Sequence, residues 1–376
     1  MVQASARVKI TLPPRSYEAV IEHGLLHRSG EYLRRILGDR KRLFVVTVPP
    51  VRQRWAKALL ASLSSAGFSV EMLETRDGES YKRLATVERL AEKLTRLGAD
   101  RNAVVVAFGG GVVGDVAGFL ASAYMRGIDV VQIPTTVQAQ LDAAIGGKTG
   151  VNLRTGKNLL GAFHQPLAVL IDTAVLSTLP EREFRAGLYE ALKCGVIGRP
   201  KLFERLQETS VRELRNHPRD LEWVITESVK LKAQVVSADE REGGLRRVLN
   251  FGHTLGHALE AESEYKCFLH GEAVAWGMIA ATRISHALGY LSAKTTKRVT
   301  DAILAFGPLP KVAATSASIA RLVRGDKKTM NGIVHFVLPT KIGKVKIVNH
   351  VPEKVILETV DELRRFSGQR RRGRPN

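Results

Sequence analysis

The chain has 376 residues, 44% of them hydrophobic and 25% charged, a composition typical of a globular protein long enough for two domains. We expect no membrane or secreted protein, because no apolar run reaches about 18 residues and the first residues lack the core of a secretory signal. Two cysteines, Cys194 and Cys267, provide no disulfide framework and indicate the cytoplasm. The net charge of +20 is suited to an anionic substrate or to nucleic acid.

Strand-like and helical patterns alternate from residue 43 onward. This alternation predicts an α/β domain in which helices cover a mostly parallel, Rossmann-like sheet. The predicted strands are 43–48, 69–73, 103–108, 130–133 and 168–171, with helices at 52–65 and 86–97 between them.

Helical patterns dominate after residue 176, interrupted by two short strand-like pieces at 332–338 and 344–348. We therefore predict an α/β domain over 1–178, a mainly helical domain over 179–366, and a basic disordered tail over 367–376. The predicted helices of the second domain are 181–195, 200–208, 221–238, 249–262 and 272–288.

Three histidines lie close together in the second predicted domain. His253 and His257 are four residues apart, the spacing at which a helix presents two imidazoles to one metal ion. His270 precedes a helical run, and the partial positive charge of a helix N-terminus favours the neutral imidazole that binds metals. The alternative is three independent core or surface histidines, but the cluster favours a metal site.

A glycine-rich turn, F-G-G-G-V-V-G-D at 108–115, closes the third predicted strand and opens a helical stretch. Gly109, Gly111 and Gly114 satisfy the pattern G-x-G-x-x-G, in which bare backbone N–H groups at a helix N-terminus bind a pyrophosphate. A tight turn that binds nothing is the alternative.

Two further segments carry charged side chains. In the segment 134–158, Lys148 and Lys157 each follow a glycine, which favours an anion site over a solvated loop. Glu190 and Lys193 are three residues apart on a predicted helix, where they form either a surface ion pair or, for Glu190, an oxygen ligand of the metal.

Taken together, these stretches resemble the 3-dehydroquinate synthase family. The matching motifs run in the family's order from about residue 77 to residue 338. They include G-G-G-V-V-G-D-V-A-G-F, G-K-N-L-L-G-A-F, L-P-E-R-E-F-R-A-G-L-Y-E-A-L-K, N-F-G-H-T-L-G-H-A-L-E, H-G-E-A-V and D-K-K.

The resemblance implies a homodimer with NAD and a divalent metal, expected to be zinc with cobalt as the alternative. Glu190, His253 and His270 would hold the metal, and His257 would instead face the substrate phosphate. The residues implied for catalysis are Asp142, Lys148, Asn158, Lys193 and His257. Those implied for a small anionic sugar-acid phosphate are Arg126, Lys157, Lys232, Arg246, Asn250, Lys327 and Lys328. Those implied for NAD are Glu79, Lys82, Gly110, Gly111, Val112, Asp115, Thr135, Thr136, Asp142, Lys148, Lys157 and Thr178.

The implied activity is that of a carbon–oxygen lyase of the shikimate pathway. It would convert 3-deoxy-D-arabino-heptulosonate 7-phosphate to 3-dehydroquinate and phosphate. The steps would be transient oxidation by NAD, metal-assisted phosphate elimination, re-reduction and intramolecular aldol closure.

The chain departs from the family where an acidic residue commonly holds the adenine-side ribose. The sequence there reads Val48-Pro49-Pro50. We therefore expect weaker NAD binding than in a Val48→Asp variant.

Three other functions stay open. A sister sugar-phosphate cyclase would make a different carbocycle, but Arg246 and Asn250 match positions near the substrate carboxylate and argue against it. A metal-dependent alcohol dehydrogenase would release NADH at each turnover. A nucleic-acid binder would rest on charge alone.

Overall fold

A computed structural model describes residues 5–324 and 334–369. Lys327, Lys328 and the basic residues from 370 onward lie outside this part of the chain. The chain divides into two compact units. The first comprises Met1–Pro180 and His217–Arg241, and the second comprises Glu181–Asn216 and Glu242–Asn376.

The strands form one large sheet in the first unit and two small hairpins. They are β1 (Ala6–Ile10), β2 (Tyr17–Glu22), β3 (Arg42–Thr47), β4 (Ser69–Glu74), β5 (Val104–Gly109), β6 (Asp129–Pro134), β7 (Lys148–Leu153), β8 (Gly156–Phe163), β9 (Ala168–Asp172), β10 (Phe336–Lys341) and β11 (Lys344–Val348).

The α-helices lie between and after these strands. They are α1 (Ser29–Leu37), α2 (Pro49–Ser65), α3 (Leu84–Arg96), α4 (Gly111–Ala123), α5 (Glu181–Gly198), α6 (Pro200–Glu208), α7 (Val211–Asn216), α8 (Pro218–Ala238), α9 (His253–Glu262), α10 (His270–Ala287), α11 (Ala293–Ala305), α12 (Ser316–Arg324) and α13 (Glu353–Gln369). None of these described helices is long and apolar enough to cross a membrane.

The first unit is built on a seven-stranded sheet in the order β1-β2-β9-β6-β5-β3-β4. The six strands β2, β9, β6, β5, β3 and β4 pair in parallel with their neighbours. Strand β1 pairs antiparallel with β2 at one edge of the sheet. The interior strand β5 reads V-V-V-A-F-G and is buried throughout, as a parallel strand covered on both faces requires. The chain proceeds outward from β3 to β4 and in the opposite direction from β5 to β6, which puts the topological switch point between β3 and β5.

The segment with the two Gly-Lys pairs forms the antiparallel hairpin β7–β8 in the first unit. Gly150 and Gly161 pair opposite one another in its register. A Cβ on Gly161 would lie 2.1 Å from the Thr149 carbonyl oxygen, so glycine is required for the two strands to approach this closely.

The second unit packs α10 against both α9 and α5 through glycines. A Cβ on Gly277 of α10 would lie 1.8 Å from the Gly252 carbonyl oxygen, at the start of α9. A Cβ on Gly271 would lie 1.8 Å from the carbonyl oxygen of Ala186 on α5. These backbone contacts bring the histidines of α9 and α10 close to Glu190 of α5.

The predicted fold class is confirmed, and the five predicted strands are each found to within about one residue at either end. The helix predicted over 249–262 instead begins at His253. Gly252 before it has a φ of 82°, in the left-handed region, and Leu245–Asn250 forms a separate 3-10 helix. Sequence patterns did not predict β1, β2 or the β7–β8 hairpin.

The division of the chain differs from the predicted domains in two respects. The segment that carries α8 returns to the first unit, whereas the prediction put it in the second domain. Residues 367–369, predicted to belong to the disordered tail, form the end of α13.

The glycine contact between α9 and α10 predicts that Gly277→Ala is destabilising. An added Cβ must push α10 away from the Gly252 carbonyl, at a cost of about 1–3 kcal/mol. The free energy of unfolding, measured by denaturant titration, should fall by that amount. Gly368→Ala, in α13 with nothing within 4 Å of the added Cβ, is the matched control and should be neutral or mildly stabilising. Equal effects of the two substitutions would contradict this account.

Candidate active site

Four side chains of the second unit converge on one point. Glu190 projects from α5, His253 and His257 from α9, and His270 is the first residue of α10. Each histidine offers a ring nitrogen within 4.8 Å of those of the other two. Oε1 of Glu190 lies 3.4 Å from Nε2 of His270 and 3.7 Å from Nε2 of His253. The predicted cluster is therefore assembled.

Hydrogen bonds fix the orientation of two of the imidazole rings. Nδ1 of His253 lies 3.2 Å from the Phe251 carbonyl oxygen, and Nδ1 of His270 lies 3.2 Å from Oε2 of Glu260. Both partners are acceptors, so each Nδ1 donates and each Nε2 is left facing Glu190. This is the arrangement in which carbonyl or carboxylate partners orient histidine ligands of a metal.

Glu190 is an uncommon carboxylate because it is fully buried. Among the described residues neither of its oxygens accepts a well-formed hydrogen bond, although Lys193 pairs with Oε2. Burial by itself raises the pKa of Glu190, but Lys193 and His270 outweigh it and lower the pKa to about 2. A buried anion that faces two oriented imidazole nitrogens fits a divalent cation.

The carboxylate of Glu190 in turn shifts the pKa of His270. Burial lowers the pKa of His270, but the carboxylates of Glu190 and Glu260 outweigh it and raise the pKa to about 9. A metal ion that binds Nε2 must therefore displace a proton.

The first turn of α10 is held in place by Glu272. Its carboxylate accepts a hydrogen bond from the Leu269 backbone N–H at 2.9 Å and two from the Arg182 guanidinium, each at 2.7 Å. The bidentate pair anchors the start of the helix that carries His270.

Sequence analysis missed Glu260 and Glu272 as contributors to this site. Glu260 lies three residues after His257, and Glu272 is the glutamate of the H-G-E motif. Both were visible in the quoted motifs. Glu260 contacts His270 because α9 packs against α10. The spacing of these residues along the chain does not predict that packing.

Two residues predicted near the substrate carboxylate lie on the 3-10 helix Leu245–Asn250 of the second unit. Arg246 is buried, and the Asn250 side-chain amide donates to Oε1 of Glu242 at 2.9 Å.

The glycine turn of the first unit lies at the carboxyl end of β5, as predicted. Gly110 is the N-cap of α4 and contributes no side-chain cap, so the first N–H groups of this helix are available to a ligand. Two of the glycines also have packing roles. A Cβ on Gly109 would lie 2.6 Å from Val113 Cγ2, and one on Gly114 would lie 2.9 Å from Gln132 Oε1. Val112 lies in the same first turn of α4.

A polar network joins the residues predicted for NAD to the β7–β8 hairpin. The ammonium of Lys82 donates to Asp115 Oδ2 and to Asn158 Oδ1. Burial raises the pKa of the Asp115 carboxyl, and the charge of Lys82 opposes that rise only in part. Glu79 Oε1 accepts from the Asn152 side-chain amide at 2.7 Å, and the Asn158 backbone N–H donates to Asn152 Oδ1 at 2.9 Å.

The other predicted residues of the first unit are distributed around β6, α8 and the hairpin. Lys232 of α8 donates to the backbone carbonyl of Asp142 and, at 2.5 Å, to its carboxylate. Lys148 is exposed at the start of β7, and Lys157 is half-buried in β8. Arg126 is exposed with a φ of 66°. The Thr135 backbone N–H donates to the Gly109 carbonyl oxygen, and Thr136 Oγ1 accepts from the Ala139 backbone N–H. Thr178 Oγ1 accepts from the Trp55 indole N–H at 3.0 Å.

The structure corrects the expectation for Val48. Its side chain is 4% exposed and packs in the core cluster with Val46, Val87 and Leu90. An aspartate there would bury a carboxylate among apolar groups instead of reaching a ribose, so Val48→Asp should destabilise the first unit rather than strengthen NAD binding.

Profiles of two protein regions match consecutive parts of the chain. The 3-dehydroquinate synthase N-terminal region matches residues 72–186, and the 3-dehydroquinate synthase C-terminal region matches residues 187–329. The chain belongs to the 3-dehydroquinate synthase family. The predicted family is thereby confirmed.

Similar proteins of the 3-dehydroquinate synthase family cover nearly the whole chain. One from Koribacter versatilis (strain Ellin345), named 3-dehydroquinate synthase, is 53% identical over 96% of this chain and 99% of its own. Another of that name, from Synechococcus sp. (strain ATCC 27144 / PCC 6301 / SAUG 1402/1), is 44% identical over 96% and 99%.

Solved structures extend the likeness to other cyclases. A 2-epi-5-epi-valiolone synthase from Streptomyces hygroscopicus subsp. jinggangensis 5008, with NAD+ and Zn2+ bound, has a TM-score of 0.86 at 31% identity, covering 95% of this chain and 99% of its own. A 2-deoxy-scyllo-inosose synthase complexed with carbaglucose-6-phosphate, NAD+ and Co2+ has a TM-score of 0.84 at 28% identity, with the same coverage. Glycerol dehydrogenase from Schizosaccharomyces pombe, at 18% identity and a TM-score of 0.66, shares the fold alone.

The contact between Glu260 and His270 predicts that Glu260 tunes metal affinity without being a ligand. Glu260→Ala removes the acceptor that orients the His270 ring and should weaken metal binding about 10- to 100-fold. Competition with a chromophoric chelator measures this affinity. Glu262→Ala, on an exposed residue of the same helix, is the control and should leave it unchanged. Unaltered metal affinity in Glu260→Ala would exclude the orienting role.

Proposed function

We propose that this chain is a 3-dehydroquinate synthase, which converts 3-deoxy-D-arabino-heptulosonate 7-phosphate to 3-dehydroquinate and phosphate in the shikimate pathway. The observation that carries the proposal is the buried Glu190 carboxylate facing the Nε2 atoms of His253 and His270. Relatives named for this activity at 41–53% identity confirm the predicted activity and the lyase class.

The proposed metal ligands are Glu190, His253 and His270. One carboxylate and two imidazoles suit zinc, with cobalt as the alternative, and three protein ligands leave positions for substrate oxygens. When bound, the metal ion would supply a Lewis acid for a substrate hydroxyl, and NAD would supply a hydride acceptor and donor. Glu260 and the Glu272–Arg182 pair hold His270 in position for this role.

His257 is proposed to act on the substrate phosphate rather than on the metal. Its ring centroid lies 5.2 Å from that of His253 and 5.8 Å from that of His270, beside the proposed ligands. An imidazole there can donate a hydrogen bond to a phosphate oxygen. It can hold the proton of that hydrogen bond as the phosphate leaves.

The proposed nucleotide residues lie in the first unit. The pyrophosphate would accept hydrogen bonds from the N–H groups at the start of α4, with Gly110, Gly111 and Val112 closest. Lys82, Asp115 and Glu79 form the polar network beside that turn and would bind ribose or nicotinamide groups. Thr135, Thr136 and Thr178 complete the proposed set.

The proposed substrate residues carry charged or hydrogen-bonding side chains. Arg246 and Asn250 would bind the substrate carboxylate, and Arg126, Lys148, Asn158 and His257 its phosphate. Around the substrate hydroxyls we propose Asp142, Lys157, Lys193 and Lys232. A homodimer and a cytoplasmic location are also part of the proposal.

A sister sugar-phosphate cyclase is the second candidate because the similar solved structures include such enzymes. We favour a substrate that carries a carboxylate, because Arg246 and Asn250 match positions near the substrate carboxylate.

The proposed ligand set predicts different results for two neighbouring histidines. His270→Ala should lose most of the bound metal, because Nε2 of His270 is a ligand. His257→Ala should retain the metal but lose turnover. Metal content by plasma mass spectrometry, with circular dichroism to verify folding, distinguishes the variants. The reverse pattern would transfer the ligand role from His270 to His257.

The cyclase proposal predicts that NAD is regenerated at each turnover. Purified protein is given metal, 3-deoxy-D-arabino-heptulosonate 7-phosphate, and NAD well below the substrate concentration. Released phosphate should exceed the NAD present many times over, while absorbance shows no accumulation of NADH. If NADH instead rises one for one with substrate consumed, the protein is a dehydrogenase built on the same fold.

A further inference from the structure

The carboxyl ends of β3, β4 and β5 lie side by side at the switch point of the first sheet. In open α/β sheets a nucleotide binds outside the strand ends at this point. Thr47, the last residue of β3, pairs with Glu74, the last residue of β4. With neighbouring strands about 4.8 Å apart, the end of β4 lies roughly 10 Å from the glycine turn after β5. An adenosine ribose attached to a pyrophosphate at that turn can reach this distance.

Protein atoms already occupy the other side of the glycine turn. A Cβ on Gly110 would lie 3.1 Å from Thr136 Cγ2, and one on Gly111 would lie 3.4 Å from the Ala143 Cβ. Both neighbours follow β6, so the adenosine half of a nucleotide is directed toward β3 and β4.

The start of α2, which follows β3, offers no backbone donor to an anion. Pro49 and Pro50 are the first two residues of the helix and have no N–H. The next two N–H groups, of Val51 and Arg52, both donate to the Val48 carbonyl, at 3.1 and 3.0 Å. Any phosphate at this point must therefore be bound by side chains.

Two side chains of opposite charge stand at these strand ends. Nη1 of Arg52 lies 3.3 Å from Oε2 of Glu74, and their side chains are 53% and 37% exposed. An ion pair this exposed is weak, so a ligand can replace either partner. In dinucleotide-binding folds a carboxylate near the strand ends accepts hydrogen bonds from the ribose hydroxyls of NAD, whereas a nearby arginine accommodates the 2′-phosphate of NADP.

We propose that the Arg52–Glu74 pair recognises the 2′ position of the adenosine ribose, so that the chain binds NADP as well as NAD. Glu74 takes the hydroxyls of NAD. Arg52 leaves Glu74 and forms charge-assisted hydrogen bonds with the 2′-phosphate of NADP. The inference rests on the proposed nucleotide site at the glycine turn.

Direct binding tests the inference without turnover. Titration calorimetry of the full chain should give dissociation constants for NAD+ and NADP+ within about tenfold of each other. Arg52→Ala should weaken NADP+ binding roughly 10- to 100-fold, the loss expected for a hydrogen-bonded charge, and change NAD+ binding by less than about threefold. Glu74→Gln should weaken NAD+ binding and shift the preference toward NADP+.

Arg54→Ala is the matched control. Arg54 is exposed on the same turn of α2 and donates to the Pro50 carbonyl at 3.1 Å, so its loss should leave both affinities unchanged. The inference is wrong if NAD+ binds but NADP+ is more than a hundredfold weaker, or if Arg52→Ala and Arg54→Ala behave alike. Failure of both nucleotides to bind would instead overturn the proposed nucleotide site itself.

Discussion

The second unit depends on one costly group, the carboxylate of Glu190. A fully buried carboxylate is stable as an anion only when positive charge is close by, and here Lys193 and His270 provide it. Lys193 lies on the same helix as Glu190, whereas His270 can approach because glycines let α10 lie against α5 and α9 at backbone distance. The H-G-E and G-H-T-L-G-H motifs therefore combine ligand chemistry and packing, since each glycine is as constrained as the histidine beside it. A larger residue at Gly271 or Gly277 would separate the helices and move His270 away from the Glu190 carboxylate.

Much of this arrangement could be predicted from the sequence because its signals are local. The strands of the parallel sheet are continuous apolar runs, and the glycine turn follows one of them directly. His253 and His257 share a helix face by spacing alone. What escaped prediction depends on contacts distant in the chain. Glu260 contacts His270 only after α9 has packed on α10, and α8 rejoins the first unit, where Lys232 meets Asp142.

Val48 shows the limit of reading a motif position by residue type. The sequence indicated a missing carboxylate at the end of β3, which holds, but it also suggested that an acidic side chain there would reach a ribose. In the fold the Val48 side chain is buried in the core, and the ion pair beside that strand end is formed by Arg52, four residues on, and Glu74 on the neighbouring strand. The pairing of Thr47 with Glu74 brings the end of β4 beside the start of α2, which carries Arg52, and this pairing is not visible in a single segment.

The buried lysines among the described residues all lie in ion pairs. Within the described ranges, 5–324 and 334–369, three lysines are buried, namely Lys82, Lys193 and Lys232, and each is paired with a carboxylate, of Asp115, Glu190 and Asp142 respectively. Buried ion pairs contribute little net stability compared with apolar side chains of similar size, so fold stability alone does not account for them. All six residues belong to the sets proposed for metal, nucleotide or substrate. A charged ligand that enters such a site can exchange partners with a pair already in place, so no isolated charge is exposed to the low-dielectric interior at any stage.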